Sequence, residues 1–180
     1  MRIIVEGDSD KKFLECYLKY LNITNYTKIV AIGGKDNIIN HIELKKEDFI
    51  IIFDADDDYN KSKINIEDQI YKLDIKNDKI FLFPNNKDNG NLEILIEKIA
   101  IHKEVLHCYD NYTICIDSLI NKIPNLKHQA KKSKVFAYMS GFGFKNNIKA
   151  EEFDLTPYVD FDNIYLNDLK EFLLNTFKNN

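Results

Sequence analysis

Three acidic residues sit where chemistry is easiest to build: Glu6, Asp54 and Asp56. Glu6 closes the short run Arg2-Ile3-Ile4-Val5, and Asp54 closes Phe49-Ile50-Ile51-Ile52-Phe53. Ligands of an open parallel sheet bind at the carboxyl ends of its strands, so both acids are expected at one edge. Asp56 can project to the same side, with Asp57 and Asp58 behind it. Carboxylates gathered in this way repel one another unless a cation lies between them. Hard oxygen ligands suit Mg2+ or Mn2+. A metal held there can bridge phosphate oxygens, lower the pKa of a water and stabilise a leaving oxygen. An isolated Asp-rich loop is also explained as a solvated turn and helix cap. The ordered series strand-Glu-Gly, strand-Gly-Gly, strand-Asp-x-Asp points instead to a metal site.

The elements that must position these acids are short β-branched runs alternating with helical patterns. Arg2 to Val5, Lys28 to Ile32, Phe49 to Phe53 and Lys79 to Phe83 read as strands, the second stopped by Gly33-Gly34 and the fourth by Pro84. Between them, Phe13, Leu14, Tyr17, Leu18 and Leu21 repeat at helical spacing behind a cap at Asp8, Ser9 or Asp10. A short helix through Ile38, Ile39 and Ile42 and another over Ile66 to Leu73 complete the series. Strands apolar on both faces, alternating with helices, predict an α/β fold with a parallel sheet of about four strands covered on both sides. After Pro84 the text turns helical: Leu92 to Ile101 capped by Asn91, then Glu104 to Met139 broken near Pro124, then Asn167 to Phe177. The expected organisation is an α/β core over 1–102 with a helical extension, 103–180, packed on it.

Composition narrows the class. With 44% apolar and 30% charged residues the chain reads as globular, and a net charge of −4 argues against coating nucleic acid by bulk electrostatics. Cys16, Cys108 and Cys115 form no CxxC pair and are expected as small buried hydrophobes, which makes a reduced, cytoplasmic setting the default. No signal peptide opens the chain and no apolar run nears the ~20 residues needed to span a bilayer, so no membrane partner is expected.

The stretch Ile3-Ile4-Val5-Glu6-Gly7-Asp8-Ser9-Asp10, the Gly33-Gly34 turn and Ile51-Ile52-Phe53-Asp54-Ala55-Asp56 resemble the Toprim domain over residues 1–84. That domain is shared by topoisomerases, bacterial primases, small rRNA-maturing ribonucleases, recombination proteins and OLD-type nucleases. Phe83-Pro84-Asn85-Asn86 with Gly90-Asn91-Leu92-Glu93 resembles a group of small stand-alone bacterial Toprim-like proteins. The resemblance implies that Glu6 does general acid or base work and that Asp54 and Asp56 hold the metal. The glycine usual soon after Asp-x-Asp is replaced here by Asp57-Asp58-Tyr59-Asn60. By likeness to OLD-type nucleases, Glu93 is a candidate ligand of a second metal. Its alternative is an acid favourably placed at a helix N-terminus.

Lys122, Lys127, His128, Lys131, Lys132 and Lys134 form the one concentrated basic stretch, readable as a phosphate-binding face or as a solvated one. Lys134-Val135-Phe136-Ala137 resembles a lysine-bearing helix of the OLD group, which makes Lys134 the candidate for offsetting transition-state charge. His41, His102, His107 and His128 show no metal spacing, Ser9 and Ser140 lack a nucleophile-elbow setting, and Tyr59 and Tyr138 lack the gate domains a topoisomerase needs. Three functions follow. The first is a Mg2+-dependent phosphoryl-transfer enzyme on DNA or RNA, in particular a nuclease. The second is a non-catalytic module that binds nucleic acid or a partner. The third is a receiver-like phosphoacceptor, for which Pro84-Asn85 stands where a hydroxyl is required.

Overall fold

The stretch Phe49–Asp54 is buried along its whole length, and its β-branched residues favour the extended backbone that places it at the centre of a sheet. This is β3 of a four-stranded parallel sheet, with β1 (Arg2–Val5), β2 (Lys28–Ala31) and β4 (Ile80–Phe83) arranged β2-β1-β3-β4. The computed structural model describes residues 1–41, 44, 48–76, 79–130, 132–144 and 153–177, so Ile42 and Lys131 lie outside the described residues. Chain order reverses between β1 and β3: the chain leaves β1 for β2 on one side and returns to β3 on the other. Clefts of α/β sheets open at such a switch point. Val5 pairs with Ile52 and Asp54 with Phe83, so Glu6 and Asp54 both emerge at the carboxyl edge of this junction.

Side-chain alternation divides the core between the two faces. Ile4, Ile51, Phe53 and Leu82 point to one face, where they meet Ile66 and Ile70 of α2 (Tyr59–Lys72) and Ile38 of a 3-10 helix at Lys35–Asn40. Ile3, Val5, Ile50, Ile52, Phe81 and Phe83 point to the other. There they meet α1 (Asp8–Tyr20) and α3 (Leu92–Ile99). The same cluster takes in Leu155, Val159 and Phe161, and Leu169, Leu173 and Phe177 of the terminal helix Asn167–Phe177. The C-terminal residues thus share one core with β1.

Two further helices, α4 (Lys103–Asp117) and α5 (Ser133–Gly141), pack together through Val105, Leu106, Tyr138 and Phe142. The terminal helix is α6. Among the described residues α-helical structure stops at Asp117 and resumes at Ser133, a wider break than the one expected near Pro124. α2 begins at Tyr59, about two turns before the expected Ile66, because Asp58 caps it by accepting from the Lys61 N–H at 3.0 Å. Those first turns are too polar to reveal a helix by apolar spacing. Cys16 is buried, but Cys108 and Cys115 are exposed, contrary to expectation: of α4 only Leu106 is fully buried. Among the described residues no helix is long and apolar enough to cross a membrane.

Candidate functional site

Glu6 is placed from both of its neighbouring strands. Gly33 and Gly34, at φ 76 and 127, turn the chain after β2 so that both N–H groups donate to the Glu6 carbonyl, at 2.9 and 3.1 Å. Positive φ of this kind is where glycine is needed. The Glu6 Oε2 accepts from the Asp54 N–H at 3.4 Å, so the two strand ends are joined through the carboxylate itself. Burial raises the Glu6 pKa and Asp56 raises it further, while the Asp54 N–H and Lys35 pull it down.

Asp54 is buried at 6% exposure, and its Oδ1 accepts from the Leu92 N–H at 2.9 Å, tying β3 to the start of α3. Burial and then the Asp10 charge push its pKa up to about 8 against that hydrogen bond, and Glu6 and Glu93 push the same way. Asp10 is also buried. It does not cap α1 from outside: Gly7 is the N-cap, and Asp10, on the first turn, reaches back to accept the Gly7 N–H at 2.8 Å. Asp8 and Ser9, the other candidate caps, are exposed. Burial raises the Asp10 pKa to about 6 against the Gly7 bond, with Glu6 and Glu93 adding to the rise and Lys132 opposing it. Glu93, 8% exposed on the first turn of α3, completes the group. Its Oε1 meets the Lys132 Nζ at 3.2 Å, and its Oε2 is buried without a hydrogen-bond partner.

Asp56 has another environment. Its φ of 53 is left-handed, and its N–H and C=O exchange hydrogen bonds with Gly90 at 2.6 and 2.7 Å, locking the loop after β3 to the loop after β4. Gly90 is required there: a Cβ would come 2.9 Å from the Ile94 Cδ1 and 3.1 Å from the Pro84 Cδ, at a φ of 143. The Asp56 carboxylate forms a close ion pair with Lys35, whose Nζ also donates to the Ser62 Oγ at 2.9 Å, and Ser62 in turn donates to the Ala55 carbonyl at 2.8 Å.

The fold therefore brings Glu6, Asp54 and Glu93 into one acidic group, adds Asp10, and holds Asp56 at the rim on a lysine. Lys134 is not in the group. It pairs with Asp110 at 2.8 Å and Glu97 at 3.3 Å; burial works against its charge, but these two acids hold its pKa above the ordinary lysine value. Lys132 is the lysine that faces the acids. Burial opposes its charge, yet Glu93, Asp54 and Asp10 together raise its pKa. In the sequence the only signal of Lys35 is its position directly after Gly33-Gly34. His128 pairs with Asp117 at 2.9 Å and His102 with Glu104 at 3.3 Å.

Among the described residues, no group of three or more His, Cys, Asp or Glu side chains is arranged to hold a metal ion as it stands. The donor chemistry nevertheless suits a hard divalent cation: four oxygen donors, three of them buried, feel one another's charge, and one buried carboxylate oxygen lacks any donor. Residues 1–178 match the model of a family described as a protein of unknown function, DUF3226. No curated protein and no solved structure matches the chain.

Proposed function

The chain belongs to the DUF3226 family, and from the chemistry of its site we propose that it is a Mg2+- or Mn2+-dependent phosphoryl-transfer enzyme acting on nucleic acid, as a nuclease. The observation that carries this reading is the buried set Asp10, Asp54 and Glu93 beside Glu6 at the switch point of a parallel sheet, with Lys132 ion-paired to Glu93. Asp54 and Glu93 would hold the cation, with Asp10 behind them. Asp56 joins only when Lys35 lets it go. When bound, a divalent ion would neutralise phosphate oxygens and acidify a water.

The protein's own groups supply the rest. Glu6, its pKa raised by burial and its Oε2 oriented by the Asp54 N–H, takes the proton of the attacking water. Lys132 offsets charge on the phosphate, the task that the sequence suggested for Lys134. Metal-dependent cleavage of DNA or RNA that disappears in Asp54→Asn supports the reading; absence of turnover on single- and double-stranded substrates of both kinds contradicts it.

One observation favours the non-catalytic alternative. Lys35 already supplies a cation to Asp56, which leaves the rim neutralised without metal. Binding of nucleic acid with equal affinity in EDTA and in Mg2+, without cleavage, would identify a binding module. A receiver would need a fifth strand bearing a lysine, whereas the sheet among the described residues has four strands.

A further inference from the structure

Lys35 is held at both ends. Its N–H donates to the Glu6 carboxylate, and its carbonyl accepts from the Gln69 Nε2 at 2.9 Å. Its ammonium meets the Asp56 carboxylate and donates to the Ser62 Oγ at 2.9 Å. Ser62 and Gln69 are buried polar residues of α2. The Gln69 Oε1 accepts the Ile39 N–H at 3.2 Å, in the same 3-10 helix that Lys35 begins. Asn65, also on α2, donates to the Asp36 Oδ1 at 2.7 Å. Three polar side chains of one helix therefore clamp the short segment that carries this lysine.

Stability alone does not account for the clamp. Ion pairs open to solvent contribute little, and this one lies at the rim, with the Lys35 side chain 18% and the Asp56 side chain 46% exposed. Burying Ser62 and Gln69 carries a desolvation cost that their hydrogen bonds offset. What the clamp achieves is a fixed positive charge beside Glu6. A free lysine is a flexible point charge, and ordering it beforehand removes that entropy cost from binding. An ammonium has three N–H donors; among the described residues Asp56 and Ser62 take two, which leaves one for a ligand. The matching ligand is an anion with acceptor oxygens, as in a phosphodiester. We infer that Lys35 is a substrate-binding residue, whose ammonium takes a non-bridging oxygen of the nucleic-acid backbone next to the water that Glu6 deprotonates. This rests on the nuclease reading and deepens it. While Lys35 stays in place, the task of Asp56 is to hold it.

Fluorescence anisotropy of the full chain in EDTA, read across a series of salt concentrations, tests the inference without reference to cleavage. The probes are a short labelled single strand of DNA and its RNA counterpart. Each lysine on a phosphate contributes about 0.7 to the slope of log affinity against log salt for a single strand. The comparison is made in an Asp56→Asn background. There the loss of Lys35 bares no carboxylate, and the amide oxygen left at position 56 can still accept from the ammonium. In that background Lys35→Gln should weaken binding about ten-fold and lower the slope by about 0.7, while Lys35→Arg keeps both. A lysine that merely neutralises Asp56 behaves differently: Lys35→Gln then weakens binding in the otherwise unaltered chain and changes nothing once Asp56→Asn is present. That result overturns the inference, as does failure of the unaltered chain to bind either strand. Lys35-dependent binding by a chain that cleaves neither DNA nor RNA in Mg2+ would sink the nuclease reading alone. Cleavage with binding that ignores Lys35 would sink only this inference.

Discussion

Asp54 is 6% exposed, accepts one backbone hydrogen bond and faces the charges of Asp10, Glu6 and Glu93, whereas Asp56, two residues further along, is exposed and ion-paired with Lys35. The difference is made by the backbone. Asp54 is the last residue of an extended central strand and cannot turn away from the switch point. Asp56 has entered the left-handed region, is pinned to Gly90, and swings its carboxylate toward the loop after β2. One side of the Asp-x-Asp is a buried acid whose burial and acidic neighbours hold its proton on up to about pH 8, and the other is a carboxylate neutralised from within by a lysine. On the proposed reading an external cation would displace the proton at Asp54, and Lys35 would decide whether Asp56 shares it.

The largest effect expected is on turnover. Asp54→Asn keeps an oxygen for the Leu92 N–H but removes the charge, and metal-dependent cleavage should fall at least about 100-fold in an initial-rate assay. Next is the pH dependence of stability. In the absence of metal, the folded chain keeps a proton on Asp54 up to about pH 8 that the unfolded chain releases near pH 4. The folded state then binds more protons across that window, so stability falls as pH rises through it and is level above it. Asp10, at about 6, steepens the lower part. Thermal melts at pH 5 and 8 should show a higher Tm at pH 5, and Asp54→Asn should flatten the slope and raise Tm at pH 8 by about 2–8 °C.

Smaller effects separate the two lysines. Lys132→Ala leaves buried Glu93 unpaired and should lower cleavage about ten-fold. Lys134→Ala breaks pairs that are partly solvated, so it should change cleavage little and stability by at most about 1 kcal/mol. Smallest of all, Lys35→Met should release Asp56 and strengthen Mn2+ binding a few-fold by calorimetry. Unchanged affinity would show that Asp56 never joins the cation.

The sequence made the frame legible because burial on both faces leaves unbroken β-branched runs, and Phe49–Asp54 is the clearest of them. Glu6 and Asp54 were legible for the same reason, since a strand that ends abruptly in an acid fixes where that acid emerges. Glu93 is a candidate only through the likeness to OLD-type nucleases, while its place on the first turn of α3 follows from Asn91, which does cap that helix by accepting the Ile94 N–H at 3.1 Å. Other features depended on rotation and reach. Lys132 and Lys134 are neighbours in the text, but the start of α5 sends one to Glu93 and the other to Asp110. Lys35 reaches Asp56 across a loop contact that no periodicity encodes. Cys108 and Cys115 are exposed because α4 buries only Leu106 fully, whereas helical spacing implies a whole apolar stripe.

The most direct test is a Mn2+ titration of the metal-free protein at pH 6 and pH 8, with proton release measured in buffers of different ionisation enthalpy. Uncompensated acids at the ends of β1 and β3 predict tighter binding at pH 8 than at pH 6, protons expelled on binding at pH 6, and loss of the site in Asp54→Asn. Affinity that is independent of pH, unaltered by Asp54→Asn or absent throughout would contradict the claim that these buried acids await a cation.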